Sequence, residues 1–159
     1  LIECIIEGMP AGVGEPVFDK LDASLAKAVM SIGAVKGVEI GDGFSVTSSK
    51  GSINNDSFIS ENGQVFKQTN HSGGILGGIS DGSSIILRAA IKPTPSISQP
   101  QKTVNTAGEN IEIAISGRHD PVIVPRAVVV VESMAAITLT DLLMQNMTSR
   151  IEYLKNIYL

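Results

Sequence analysis

The chain has 159 residues, about the length of one domain, and carries a formal net charge of −4 with a pI near 5.1. This acidic balance and an aromatic content of 4% argue against a nucleic-acid-binding protein, which needs a basic surface and stacking side chains. Hydrophobic residues make up 43% of the chain, but no stretch long enough to cross a bilayer is free of charge. No membrane-spanning helix is therefore predicted.

Cys4 is the single cysteine, and it lies among apolar residues. Because it has no partner for an internal disulfide, the chain is predicted to be cytoplasmic. The sequence opens without an initiator methionine or the features of a signal peptide, so we expect it to be the interior of a longer protein. One cysteine and two distant histidines do not make a metal site, and none is predicted.

The first elements follow from hydrophobic periodicity. Residues 1–7 alternate as a strand with one buried face. An amphipathic helix is predicted next, with Pro16 at its first position and its end near Gly33, since apolar residues from Phe18 onward recur at helical spacing. Residues 35–40 form a short predicted strand.

The segment 45–67 is polar and rich in Ser and Asn, which predicts weak strands within a flexible excursion. Residues 68–80 contain no Asp, Glu, Lys or Arg, and within them two glycine pairs bracket Ile75 and Leu76. Glycine permits a tight bend or close packing, and it also permits close approach of a ligand. Both interpretations stay open, but the spacing is not that of a dinucleotide-binding loop.

A buried strand is predicted over residues 85–91, and it leads into the segment 92–96. Two prolines make that segment extended and fix the direction of Lys92 and of two hydroxyl groups, which suits an anionic or heteroaromatic ligand. The alternative is an edge loop that proline makes rigid.

Strands are predicted within residues 103–115, and a long helix from near Pro125 to about Met147, although residues 128–131 alone favour a strand. Residues 148–159 are predicted to be a tail. The mixed series of elements predicts an α+β fold with helices packed on an antiparallel or mixed sheet. Within the long helix, Glu132 is either a paired core carboxylate or a group that orients the polar junction before the helix.

That junction, Gly117 to Pro121, places Arg118, His119 and Asp120 between a strand and the long helix. A cation, a base and an acid at the end of a strand are typical of a site. The alternative is a surface turn closed by a local Arg–Asp pair.

Several stretches together resemble the C-terminal half of the chorismate synthase family. The family's third signature begins with Arg, then Ser, His or Phe, then Asp, and ends in Glu and two small or apolar residues; here it runs from Arg118 to Met134. Further blocks in the family's order are Gly12 to Asp19, Ser31 to Glu39, Asn70 to Ser80 and Lys92 to Thr94.

The resemblance implies an enzyme that converts 5-enolpyruvylshikimate 3-phosphate to chorismate and phosphate by a 1,4-anti-elimination. It further implies reduced FMN as cofactor, with NADPH as a reductant, a homotetramer, and β-α-β sandwich layers. Residues 1–159 would be the C-terminal fragment of a single domain. The family's catalytic-histidine regions belong to the N-terminal half, so the isolated fragment is expected to be inactive, and neither His71 nor His119 is expected to replace those histidines.

The resemblance also assigns roles to individual positions. Asp120 would act near the flavin as the catalytic acid, and Arg118 would contact flavin or substrate. The positions expected to bind the cofactor are Gly33, Ala34, Gly77, Lys92, Pro93, Thr94, Pro95, Ser96 and Arg118. Gly33 departs from the asparagine or proline of many relatives, so a side-chain contact to flavin is not expected there. The alternative function is a non-catalytic flavin- or nucleotide-binding or assembly module of a larger protein.

Overall fold

The structure, a computed structural model, describes residues 1–158. A short 3₁₀ helix covers Gly43–Ser48. The strands and helices in chain order are β1 (Ile2–Ile6), α1 (Leu21–Met30), β2 (Val35–Ile40), α2 (Gly51–Asn54), β3 (Phe58–Glu61), β4 (Gln64–Lys67), β5 (Ile75–Leu76), β6 (Ile79–Ser80), β7 (Ile85–Ile91), β8 (Gln101–Val104), β9 (Asn110–Ile113), α3 (Val124–Asn146) and α4 (Ile151–Tyr158).

The central sheet is antiparallel and has the order β1-β7-β2. Strand β7 has the predicted bounds, and its burial alternates, with Ile85, Leu87 and Ala89 buried on the face that helices α1 and α3 cover. Arg88 lies on the opposite face, between Glu3 of β1 and Glu39 of β2. Helices packed on one face of an antiparallel sheet confirm the predicted α+β class.

Helix α1 begins five residues later than Pro16, where the sequence analysis placed its start. The backbone groups of Glu15 and Asp19 hydrogen-bond to each other and close a turn before the helix. Phe18 was expected on the buried face, but it precedes the helix and is 91% exposed. The apolar stripe of the helix itself is as predicted, because Leu21, Leu25 and Val29 are fully buried.

Helix α3 includes residues 128–131, although four consecutive valines favour a strand locally. Its core face consists of Val131, Ala135, Leu139 and Leu142, and packing of this face on α1 and β1 outweighs the local preference. By length and composition this helix could also cross a bilayer, a property that the sequence analysis missed by requiring a charge-free stretch.

Three small hairpins complete the fold: β3–β4, β5–β6 and β8–β9. The predicted excursion 45–67 contains the first of them, with Asn62 and Gly63 at positive φ in its turn; its flexibility remains a prediction. The predicted tail, residues 148–159, contains α4, and Leu159 lies outside the described residues.

Candidate functional site

A cavity of about 410 Å³ opens where β2 begins and β7 ends. The two strands are antiparallel neighbours, with Val35 opposite Ile91, so the residues just before β2 and just after β7 are carried to the same edge of the sheet. The lining residues are Ala34, Lys36, Lys92, Pro93, Thr94, Pro95 and Ile123. Five of them are positions that the sequence analysis assigned to the cofactor.

The backbone joins the two walls of this cavity. The Lys92 N–H donates to the Ala34 carbonyl at 2.7 Å, which extends the β2–β7 ladder by one bond. Ala34 has a φ of 71°, a left-handed conformation that a residue with a side chain seldom adopts. Beyond Lys92, Pro93 and Pro95 fix the second wall in an extended course.

Thr94 supplies a second sign that the cavity is built for a ligand. Its Oγ1 is buried and has no hydrogen-bond partner among the described residues. Most buried polar groups in proteins are hydrogen-bonded, and leaving one unpaired costs about 1–3 kcal/mol. Because the cavity combines an unsatisfied hydroxyl, two lysines and apolar walls, its residues fit a ligand with a flat apolar part and an anionic group, as FMN has.

The other four positions assigned to the cofactor, Gly33, Gly77, Ser96 and Arg118, do not line the cavity. Gly33 precedes Ala34 and Ser96 follows Pro95, so both adjoin it. Gly77 lies in the β5–β6 turn with a φ of 61°, and a Cβ built on it would meet nothing within 4 Å. The conformation of the turn therefore favours glycine, while the space beside Gly77 is open in the described part of the chain.

The polar junction before α3 is also separate from the cavity lining. Arg118 is exposed, and His119 contacts the Ile115 carbonyl through Nε2 at 2.9 Å. Asp120 accepts a hydrogen bond from Arg126 Nη1 at 2.9 Å, so the local Arg–Asp pair involves Arg126 rather than Arg118. The catalytic role of Asp120 and the binding role of Arg118 remain predictions.

Glu132 takes neither of the two expected roles. It is exposed on α3 and forms no salt bridge with a described residue, so it is not a paired core carboxylate and does not orient the junction. Burial, and secondarily the nearby Glu132 charge, raise the pKa of the Cys4 thiol. Cys4 therefore behaves as a small apolar side chain.

The glycines before Gly77 are required by close backbone packing. A Cβ on Gly73 would lie 2.3 Å from the Gly41 backbone nitrogen, and one on Gly74 would lie 2.6 Å from the Ser84 carbonyl oxygen. Gly14 and the Gly78 carbonyl approach each other equally closely. For these positions the packing interpretation holds, and ligand contact is not needed to explain the glycine.

A buried polar cluster anchors this glycine-rich segment. Lys67 Nζ, at the end of β4, lies 2.7 Å from Asp81 Oδ2 and 3.3 Å from Asp56 Oδ2, and all three side chains are at most 8% exposed. The same ammonium donates to Ser72 Oγ at 2.8 Å and to Asn70 Oδ1 at 3.0 Å. Since Asn70 in turn accepts from the Gly74 N–H, the cluster holds both ends of the segment that carries Gly77.

The two carboxyls of the cluster are strongly acidic. Burial acts to raise the pKa of Asp56, but the backbone N–H groups of Ser72 and His71 donate to the carboxylate and lower its pKa well below the ordinary range. Burial also acts to raise the pKa of Asp81, and the Lys67 ammonium outweighs it and lowers that pKa. Both side chains are therefore anionic at neutral pH.

The sequence analysis missed this cluster, because it placed Lys67 and Asp56 in a flexible excursion and assigned no role to Asp81. The sequence does contain a signal. Lys67 and Asp81 are the charged residues that flank the stretch 68–80, which has none. If such a stretch folds back as a hairpin, its two flanking charges meet.

His71 makes a local hydrogen bond, as expected. Its Nδ1 lies 2.7 Å from Asp42 Oδ2.

Two larger cavities lie elsewhere: one of about 590 Å³ between α1 and α3, and one of about 630 Å³ beside Lys67. Neither contains a position that the sequence analysis assigned to the cofactor or to catalysis.

Comparison with known proteins places this arrangement in a family. Residues 1–144 match the family model described as chorismate synthase. The chain is 69% identical over 159 residues to chorismate synthase of Lachnoclostridium phytofermentans, covering 99% of this chain and 43% of that protein. It is 60% identical over 142 residues to the Methanococcoides burtonii enzyme, covering 89% of this chain and 39% of that protein.

The fold leads to the same family. A crystal structure of chorismate synthase superposes with a TM-score of 0.73 at 34% identity, covering 92% of this chain and 37% of that one. The chain therefore spans about two fifths of the length of the relatives it matches. With a family match over residues 1–144 and the same fold, the chain belongs to the chorismate synthase family.

Proposed function

We propose that this chain supplies the cofactor-binding part of a chorismate synthase, a carbon–oxygen lyase that converts 5-enolpyruvylshikimate 3-phosphate to chorismate and phosphate. The observation that carries the proposal is the cavity at the edge of the β2–β7 pair. It unites Ala34 with residues 92–95, which lie far apart in the sequence, and one of its lining residues, Thr94, has a buried hydroxyl with no hydrogen-bond partner among the described residues.

In this proposal Ala34 and the segment 92–95 hold the flavin, with Gly33, Gly77 and Ser96 adjoining it. Bound reduced FMN would supply electron density to the substrate as phosphate leaves. The Lys92 ammonium favours an anionic ligand, and Pro93 and Pro95 supply apolar surface to one wall of the cavity. The pre-formed walls mean that little backbone ordering is needed on binding.

The junction before α3 would act where the flavin and the substrate meet, with Asp120 near the flavin. A 1,4-anti-elimination removes phosphate and a proton from opposite faces of the ring and leaves a second ring double bond. Asp120 is the chain's candidate for moving that proton, and the guanidinium of Arg118 suits a carboxylate or phosphate. The exposed position of Arg118 leaves it free to meet the rest of the protein or the substrate.

The remaining features of the proposal come from the family resemblance. They are a homotetramer and NADPH as a reductant of the flavin; the proposed location in the cytoplasm rests instead on the single cysteine. The isolated chain is expected to be inactive, since it spans about two fifths of its relatives.

The test is formation of chorismate by the full-length protein that contains this chain. The assay is anaerobic, with photoreduced FMN in one arm and with NADPH and oxidised FMN in the other. We expect product in the first arm, and product in the second arm only if the protein reduces its own flavin. FMN binding without chorismate in either arm would instead support the alternative, a non-catalytic flavin-binding module.

A further inference from the structure

Lys36 is a residue of the cavity that neither the sequence analysis nor the family resemblance assigned. Along β2 the register with β7 shifts between Val35, opposite Ile91, and Gly37, opposite Ala90. Lys36 is the extra residue of this β-bulge. Bulges redirect a side chain out of the regular alternation, and they are common next to binding sites.

The bulge adjoins a second irregular position. Ala34, two residues earlier, has its φ at 71°. A left-handed residue followed by a bulge makes the entry into β2 depart from regular strand geometry, and such departures persist only where the surrounding structure holds them. Here their combined result is that Lys36 lines the same cavity as Lys92.

The polar groups of the cavity are of one kind. The Lys36 and Lys92 ammonium groups can only donate hydrogen bonds, and the unpaired Thr94 hydroxyl can donate as well. No Asp or Glu lines the cavity, and neither lysine forms a salt bridge with a described residue. Both lysines are exposed, so each can turn its ammonium group toward an anion in the cavity without first breaking an ion pair.

We propose that Lys36 is a binding residue for a phosphate monoester, which it holds together with Lys92 and Thr94. The anionic character of the ligand follows from the cavity, while the choice of a phosphate monoester rests on the proposed function. Both FMN and 5-enolpyruvylshikimate 3-phosphate carry such a group, and a doubly charged phosphate suits two ammonium groups better than a carboxylate does. The proposal therefore makes the bulge a specificity element of the site.

The test uses Lys36→Gln and Lys36→Arg in the full-length protein, with Lys50→Gln as a matched control, because Lys50 is exposed and lies outside the cavity. Oxidised FMN and riboflavin are titrated separately against each variant by flavin fluorescence, and the substrate is titrated by calorimetry. Riboflavin lacks only the phosphate, so the pair of flavins isolates the contribution of that group.

If the cavity holds the cofactor's phosphate, Lys36→Gln raises the Kd for FMN about tenfold, the effect of one charge-assisted hydrogen bond. The Kd for riboflavin stays unchanged, Lys36→Arg restores most of the affinity, and added salt weakens FMN binding less in Lys36→Gln than in the parent. If the cavity holds the substrate's phosphate, the same loss and rescue appear in the Kd for substrate alone.

Equal loss of FMN and riboflavin would indicate a structural effect and overturn the proposal, as would unchanged binding of FMN and substrate. Failure of the proposed function is a different result, in which the parent forms no chorismate. FMN binding still tests Lys36 in that case. A parent protein that binds neither phosphate monoester would overturn both proposals.

Discussion

Lys67 carries more of the local structure than its place in a polar segment indicates. Its ammonium lies between two buried carboxylates, and removing it leaves both without their cation. We expect Lys67→Met to lower the free energy of unfolding by about 3–5 kcal/mol, the usual result of breaking a buried ion pair from one side. Urea unfolding of the full-length protein measures this.

The matched control is Lys102→Met, since Lys102 is exposed on β8 and its loss is expected to cost less than about 1 kcal/mol. A similar small effect for both variants would mean that the cluster around Lys67 does not hold the glycine-rich segment in place.

Asp56 and Asp81 make this region sensitive to acid. The pKa of each is lowered in the folded chain, while an aspartate in the unfolded chain has a pKa of about 3.9. Their contribution to stability is therefore fully present above that value, and it is lost as the pH falls toward the folded pKa values. We expect the urea concentration at the unfolding midpoint to decrease as the pH is lowered from about 5. Asp56→Asn should have a lower urea midpoint at pH 7, and its midpoint should decrease less as the pH falls. An equally steep decrease would show that Asp56 does not cause the acid sensitivity.

Asp120 is hydrogen-bonded to Arg126, so the effect of its carboxylate has to be separated from the effect of the pair. If Asp120 moves the substrate proton, Asp120→Asn lowers kcat by about 10²-fold or more and changes the Kd for FMN little. Arg126→Gln removes the pair but keeps the carboxylate, so it should retain most of the turnover. Steady-state rates and flavin titration compare the two variants, and equal losses of kcat would assign the effect to the pair.

At the scale of elements, the β5–β6 hairpin connects the fold to the candidate cofactor site. Gly77 needs a positive φ but has open space beside it. Asn tolerates that conformation, so Gly77→Asn should change the free energy of unfolding by less than about 1 kcal/mol. If the flavin lies against Gly77, the same variant weakens FMN binding about tenfold, or about 1.4 kcal/mol.

Gly63→Asn is the control for that variant. Gly63 lies in the β3–β4 turn, also at positive φ and also with nothing within 4 Å of its Cβ position. It should leave FMN affinity unchanged. Unaltered FMN binding in Gly77→Asn would remove Gly77 from the cofactor site.

The elements also show what sequence could and could not predict. Strands β2 and β7 were predicted with their observed bounds, since short apolar runs between turn residues leave few alternatives. The start of α1 was misplaced because a proline suited to a first helical turn also suits the turn that precedes it. The sequence left open whether the valines of α3 form a helix or a strand, because tertiary packing rather than local preference determines the structure of such a segment.

In the candidate site, too, some residues could be predicted from the sequence and others could not. The Ala34 and Lys92–Pro95 positions came from family motifs, and strand pairing brings them together. Lys36 was out of reach, because a bulge depends on the register of two strands distant in sequence. The Lys67 cluster was missed for a similar reason: its members approach only after two hairpins have formed.

At the scale of the whole molecule, α3 has an apolar surface that the described residues do not cover. Val129, Ile137 and Met144 are 59%, 63% and 64% exposed. Because the chain spans about two fifths of its relatives, we expect the rest of the protein to pack on this surface. The isolated chain should bind an apolar dye such as ANS strongly, and the full-length protein only weakly. Equal dye binding by the two would show that α3 stays uncovered.

The hydrogen bond from Lys92 to Ala34 has a consequence for how a ligand enters. The two walls of the cavity are carried by hydrogen-bonded neighbours, so the pairing of β2 with β7 fixes the position of one wall relative to the other. Spreading the walls apart would break the end of the ladder. We therefore expect the two walls to keep their relative position when a ligand enters or leaves. If the walls are fixed in this way, hydrogen exchange of the Lys92 amide should be slow, and its rate should be the same with and without FMN.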